Sequence, residues 1–267
     1  GFGLAPVYLA PTSQYLLGHF GVQKTMLILG IAFTAIVCGL AHLLVNPPAG
    51  FVAGTKPAGG NAPAKPASFN VTPSEILRTP GFYLLWVIYF IGAGAGLMVI
   101  GSISGMAKKS MGEAAFIAVA VMAIGNAGGR ICAGMLSDRI GRRWTLMLVL
   151  LIQAVLMFIA IPVTGSKEMA AVVIVVVAAM IGANYGANLS LFPSFAKDLW
   201  GLKSFGVNYG ILFTAWGVGG FALPRLQQVL TTKSGGSYTS SFITAGVLLL
   251  VGAALTFLIK PPRPKEA

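Results

Sequence analysis

The chain has 267 residues, 56% of them hydrophobic and only 9% charged, with a mean hydropathy of +0.84. A soluble domain carries roughly 25% charged residues, so water is excluded as the main solvent of this chain. The formal net charge of +12 comes from basic residues spread through the breaks between apolar runs; they form no continuous stripe, which argues against nucleic acid as a partner.

Apolar runs of about 20 residues, the length a helix needs to cross a bilayer, follow one another along the chain. They predict eight spans, at 1–19, 24–45, 82–106, 114–136, 144–163, 169–193, 205–226 and 239–259. Such runs are too long for barrel strands, so the expected class is an all-α membrane protein with the lipid bilayer as its surroundings. Between the second and third spans lies one long polar segment, Asn46 to Thr79, rich in Pro, Gly and Ala. It cannot bury enough apolar surface to fold and reads as a linker. The expected organisation is two spans over 1–45, a linker over 46–80, a six-span bundle over 81–260 and a short tail over 261–267. No basic segment precedes the first apolar run, so no signal peptide is expected. The two spans ahead of the linker do not make an even-numbered half, and four further N-terminal helices are expected to complete it.

Lys and Arg set the expected orientation. With the linker placed in the cytoplasm, eleven of the eighteen basic residues fall on that side: Lys56, Lys65, Arg78, Arg139, Arg142, Arg143, Lys197, Lys203, Lys260, Arg263 and Lys265. Lys24, Lys108, Lys109, Lys167, Arg225 and Lys233 fall opposite. Linker and C-terminus are therefore expected to face the cytoplasm, with the protein multi-pass in the inner (plasma) membrane.

The remaining basic residue, Arg130, lies within an apolar span. It precedes Asp138 by eight residues, which at 1.5 Å per residue places it about 12 Å inside a core about 30 Å thick. Burying Arg there costs about 2.5–3.5 kcal/mol on the lenient insertion scale. The six acidic residues, Glu75, Glu113, Asp138, Glu168, Asp198 and Glu266, all fall in expected loops or at span ends. The guanidinium must therefore face a wet cavity, pair with the expected N-terminal helices, or bind an anionic ligand, and its fork geometry suits a carboxylate. Snorkelling to the nearer surface is the structural alternative. Asn126 lies one helical turn earlier on the same face, where its amide either orients the guanidinium or bonds a neighbouring helix. Tyr89, Tyr185 and Trp216 come to similar depths, about 13–17 Å, with Tyr209 one heptad before Trp216. A ring of aromatics around one arginine would form a small pocket suited to a short carboxylate, although each ring singly also fits core packing. Tyr8 is a candidate from the first span.

The segment Gly134-Met-Leu-Ser-Asp-Arg-Ile-Gly-Arg-Arg143 joins the fourth and fifth spans. A tight turn at Gly141 brings Asp138, Arg139, Arg142 and Arg143 to the membrane surface, where a carboxylate–arginine pair can act as a lock between rocking helices or simply anchor the loop. With Gly134 and Ser137, this stretch resembles the G-x-x-x-D-R-x-G-R-R signature of the major facilitator superfamily, at the position between helices 8 and 9. Gly-Phe-Gly at the start, Thr25-Met-Leu-Ile-Leu-Gly30, Phe192-Pro-Ser194, Asn208-Tyr-Gly210 and Thr214-Ala-Trp-Gly-Val-Gly-Gly220 resemble the oxalate/formate antiporter family, relatives of the monocarboxylate transporters. The resemblance implies helices 5 to 12 of a twelve-helix fold, alternating access, a gating role for the Gly134–Arg143 loop, and a substrate carboxylate on Arg130. Oxalate carriers of that family have a lysine where this chain has Trp216. With one buried cation in place of two, the expected substrate is a monocarboxylate, such as formate, acetate, lactate or pyruvate, coupled to protons or a counter-anion. Oxalate/formate exchange is the alternative, and a non-transporting receptor or assembly subunit is an alternative of another class.

No cofactor, metal or enzymatic activity is expected, because no nucleotide motif, no His/Asp/Glu cluster and no nucleophile–base pair is visible. Cys38 and Cys132 are far apart in sequence and read as packing residues. The glycines of the spans read as surfaces on which helices approach closely.

Overall fold

The computed structural model describes residues 2–45, 70–101, 105, 107, 111–112, 115–165 and 171–260. Most of the expected linker and the whole tail at 261–267 lie outside the described residues. The regular structure described is helical throughout. We label the helices α1 (Ala5–Ala41), α2 (Pro73–Ile76), α3 (Pro80–Ile100), α4 (Ala115–Ile140), α5 (Arg142–Gly165), α6 (Ala171–Trp200), α7 (Phe205–Lys233) and α8 (Thr239–Leu255), with single 3-10 turns at Phe2–Leu4 and Thr256–Leu258. The chain divides into two compact units: Pro11–Ser68, and Gly1–Ala10 together with Phe69–Ala267.

In the first unit, α1 is interrupted at Gly21, whose φ of 71° and ψ of 177° are not helical. Only glycine takes that conformation without a steric cost. The break falls between the two expected spans, which the structure joins in one helical stretch because a single glycine redirects the backbone without a loop. Along this stretch Val22, Met26, Leu27, Ile31, Ile36 and Val37 are exposed and Thr25 is buried. A helix apolar on its outer surface is one whose surroundings are lipid or other helices.

In the second unit, α4 packs most closely on α6, α3 on α7, and α5 on α8. The first of these contacts is made backbone to backbone. A Cβ at Gly129 would lie 1.9 Å from the Ala183 carbonyl oxygen, one at Gly125 2.2 Å from that of Ala179, and one at Gly186 2.0 Å from that of Asn126. These glycines are therefore what lets the two helices meet, as expected of small residues in a bundle where helix contact cannot draw on water exclusion. Gly94 and Gly219 do the same between α3 and α7, whereas Gly128 and Gly217 face open space.

Helix ends follow local chemistry. Pro73 and Pro80 stand in the first turns of α2 and α3, where the missing N–H removes no hydrogen bond. The Thr72 N–H donates to Glu75 Oε2 at 2.8 Å. Gly141, at φ +91°, separates α4 from α5. Six of the described helices are long and apolar enough to cross a membrane: α1, α3, α4, α5, α6 and α8. Helix α7 has 29 residues but carries Asn208, Arg225, Gln227 and Gln228; Asn208 and Gln227 are buried. Arg225 and Gln228 are exposed. Both cysteines are free and exposed, so neither is a packing residue within this chain.

Candidate functional site

Helix α4 carries Arg130 among glycine and alanine, and its side chain is half-buried. Arg130 Nε donates to Asn126 Oδ1 at 3.0 Å, so the amide one turn earlier orients the guanidinium rather than bonding a neighbouring helix through that oxygen. Asn126 is backed by the N-terminal motif: a Cβ at the buried Gly3 would lie 3.3 Å from Asn126 Oδ1.

The packed helices α3, α6 and α7 carry Tyr89, Tyr185 and Tyr209, and Gly186, next to Tyr185, lies against the backbone of Asn126, whose carbonyl oxygen would be 2.0 Å from a Cβ there. Tyr89 is fully buried and Tyr185 is 5% exposed. The Tyr89 and Tyr209 hydroxyls are 3.4 Å apart. Trp216 Nε1 donates to the Tyr185 hydroxyl oxygen at 2.7 Å. The rings are held by stacking: Tyr89 on Phe192 with centroids 3.9 Å apart, and Phe213 on Trp216 at 5.1 Å. Phe213 also meets Tyr209 at 5.5 Å and Tyr89 at 6.0 Å. Tyr89, Tyr185, Tyr209 and Trp216 are thus linked to one another through hydrogen bonds and Phe213, and Arg130 is linked to Asn126. Tyr8 lies on α1 with its ring 60% exposed, unlike the buried tyrosines.

Residues that carry no charge or motif complete the group. Gly96 of α3 leaves room for the Tyr185 ring, since a Cβ there would lie 2.7 Å from Tyr185 Cδ2. Asn188, one turn beyond Asn184 on α6, donates to the Asn184 carbonyl at 3.0 Å and to Gln153 Oε1 of α5 at 3.4 Å; Asn188 and Gln153 are fully buried. Their only sequence signal is an amide inside an apolar run; Phe213 carries none, and Phe192 was marked only by the Phe192-Pro-Ser194 motif. The arrangement can bind an anion, because guanidinium and phenol groups are donors. Among the described residues no group of three or more His, Cys, Asp or Glu is placed to hold a metal.

At the signature loop, Arg142 is the organising residue. Its Nη1 lies 2.7 Å from Asp138 Oδ1, and its Nε donates to Asp198 Oδ2 at 3.0 Å. Nη1 also donates to Ser137 Oγ, which itself donates to the Gly134 carbonyl at 2.8 Å. One arginine therefore joins the end of α4, the start of α5 and the end of α6. Arg143 instead lies over the rings of Trp144 at 5.6 Å and Phe257 at 5.5 Å, and Arg139 is exposed. Asp198 is the residue sequence reasoning missed here, because only the packing of α6 brings it to the loop.

These helices, with a charged loop closing α4 onto α5 and α6, belong to a multi-pass membrane protein. The chain matches the Major Facilitator Superfamily over residues 1–224 and again over 85–267, and it belongs to that family. It is 28% identical over 222 residues to an uncharacterised MFS-type transporter, YhjX, of Escherichia coli, covering 82% of this chain and 52% of that one. It is 27% identical over 262 residues to the oxalate:formate antiporter of Oxalobacter formigenes, covering 97% of this chain and 60% of the antiporter. An MFS transporter of Aspergillus flavus, asaE, is 35% identical over 128 residues, covering 47% of this chain and 28% of the relative. The chain thus spans between 52% and 60% of the length of the two bacterial relatives.

Proposed function

We propose that this chain forms part of a secondary active transporter that moves small carboxylates by alternating access, with Arg130 as the anion ligand. The observation that carries the reading is a guanidinium within an apolar helix, oriented by the Asn126 amide at 3.0 Å, on a helix whose close packing on α6 sets Gly186, next to Tyr185, against Asn126. In a low-dielectric interior a guanidinium flanked by phenol donors favours an anion with one charge and two acceptor oxygens. The substrate is then a monocarboxylate such as formate, acetate, lactate or pyruvate, coupled to protons or to a counter-anion. Trp216 supports the single charge, since it places an uncharged indole where a second cation would stand. The loop at Gly134–Arg143 serves as part of the gate, opening when Arg142 releases Asp198. The linker and C-terminus face the cytoplasm, on the side of the basic excess, and further helices complete the cavity.

Oxalate/formate exchange is the second reading, favoured by the 27% identity to an oxalate:formate antiporter. Uptake of labelled formate, lactate and oxalate into proteoliposomes holding the full-length protein separates the two. We expect saturable formate or lactate uptake that oxalate competes for weakly, and loss of that uptake by about 100-fold in Arg130→Ala, the consequence of removing a desolvated charge partner. Uptake unchanged in Arg130→Ala would sink the proposed site, and binding without flux would make the protein a receptor.

A further inference from the structure

We infer that Trp216 acts through Tyr185, as a positioning residue that turns the Tyr185 hydroxyl into a donor for the substrate, and is not itself a polar ligand. This rests on the carboxylate site proposed above and concerns what sets its selectivity.

The direction of the bond between the two residues is unambiguous. An indole has one N–H and no acceptor, so at 2.7 Å Trp216 Nε1 donates and the Tyr185 oxygen accepts. The sole donor of Trp216 is thereby engaged, and a polar contact from Trp216 to a substrate would require breaking it. Tyr185, having accepted at its oxygen, keeps its own O–H free to rotate away from the indole. A donor hydrogen bond received at the oxygen also polarises that O–H and makes it the stronger donor. Arg130 and Trp216 supply only donors, so neither accepts the proton. An anion held by Arg130 does, which gives the chain Trp216 N–H to Tyr185 O–H to carboxylate oxygen.

Both rings are held for this. The indole is stacked on Phe213, 10° from parallel. The Tyr185 ring is only 5% exposed and lies against Gly96, where even a methyl group would overlap it. The pair bridges α6 and α7 across 31 residues of sequence. It supplies a neutral, oriented donor, which hydrogen-bonds one oxygen of a carboxylate without adding a second full charge.

The test is initial-rate uptake of labelled formate, with labelled lactate in parallel, by full-length protein in proteoliposomes. Trp216→Phe keeps an aromatic ring and removes the N–H. We expect it to raise KM about tenfold with kcat within about twofold, as for loss of one hydrogen bond to a charged partner. Tyr185→Phe should do the same, and the double variant should be no worse than Tyr185→Phe alone, since the two residues act in series. Trp216→His, a smaller ring that regains an N–H, should recover part of the affinity. A packing role predicts the reverse order, with Phe better than His, and that order overturns the proposal. So does a wild-type KM in Trp216→Phe, or a double variant whose effects multiply. Arg130→Ala separates the two levels: if it transports like wild type the site reading fails, whereas a dead Arg130→Ala beside an unaffected Trp216→Phe refutes the positioning role alone.

Discussion

Two arginines, twelve positions apart in the sequence, stand in opposite surroundings. Arg142 is held by two carboxylates, Asp138 at 2.7 Å and Asp198 at 3.0 Å, at the ends of three helices. Arg130 donates to the Asn126 amide oxygen at 3.0 Å, within one helix. The three described carboxylates all sit at helix ends: Glu75 takes the Thr72 N–H, and the other two hold Arg142. A cation held by carboxylates of its own chain is a fastening, strong when made and breakable as helices move. A guanidinium oriented by an amide keeps its charge for another group, which in the proposed transporter is an anion that comes and goes. On that proposal, the difference separates holding a conformation from holding a ligand.

The comparison can be broken in three places. The largest effect belongs to Arg130→Lys, which keeps the charge and loses the planar fork. A carboxylate bound through two parallel N–H groups should lose about 30-fold in kcat/KM for uptake, while a site that needs only a charge would keep most of its rate. Next comes Arg142→Gln, which frees both Asp138 and Asp198. We expect about a tenfold change in turnover with KM within about twofold, as follows if the loop acts on the conformational step proposed for it. Asp198→Asn should change turnover in the same direction, and the double variant should add little to Arg142→Gln. A rise in KM without a change in turnover would place Arg142 in the binding site instead. The smallest effect is that of Asn126→Ala, which removes the acceptor orienting Arg130. An increase of about threefold to fivefold in KM corresponds to losing one modest hydrogen bond; no increase would show that the guanidinium is oriented by its other neighbours.

Arg130 and the loop from Gly134 to Arg143 were legible because they violate expectation. A charge inside an apolar run and a turn glycine among arginines are visible to anyone reading the chain in order. Helical rise converts residue counts into distance, so a similar depth could be expected of Tyr89, Tyr185 and Trp216 from the sequence. The pairing of Trp216 with Tyr185 was not, nor was that of Arg142 with Asp198, 56 residues away. Depth along a helix says nothing about rotation about its axis, and rotation decides which side chains face one another. Glycine illustrates the same point: Gly129 lies against the Ala183 backbone while Gly128, its neighbour, meets nothing within 4 Å. The expected division of 1–45 into two spans has a local counterpart, since Gly21, at positive φ and outside helical geometry, falls between 1–19 and 24–45 and redirects the backbone without a loop.

What the sequence by itself determined is the class of surroundings and the chemical inventory: apolar helices, one deep cation, and a signature loop. Those follow from composition and from periodicities that each residue shares with its own helix. Only the tertiary structure decided which donor serves which acceptor. In an apolar bundle the contacts between helices come from close packing of small residues, and shifts of a few ångströms in that packing decide whether an indole N–H meets a phenol oxygen or nothing.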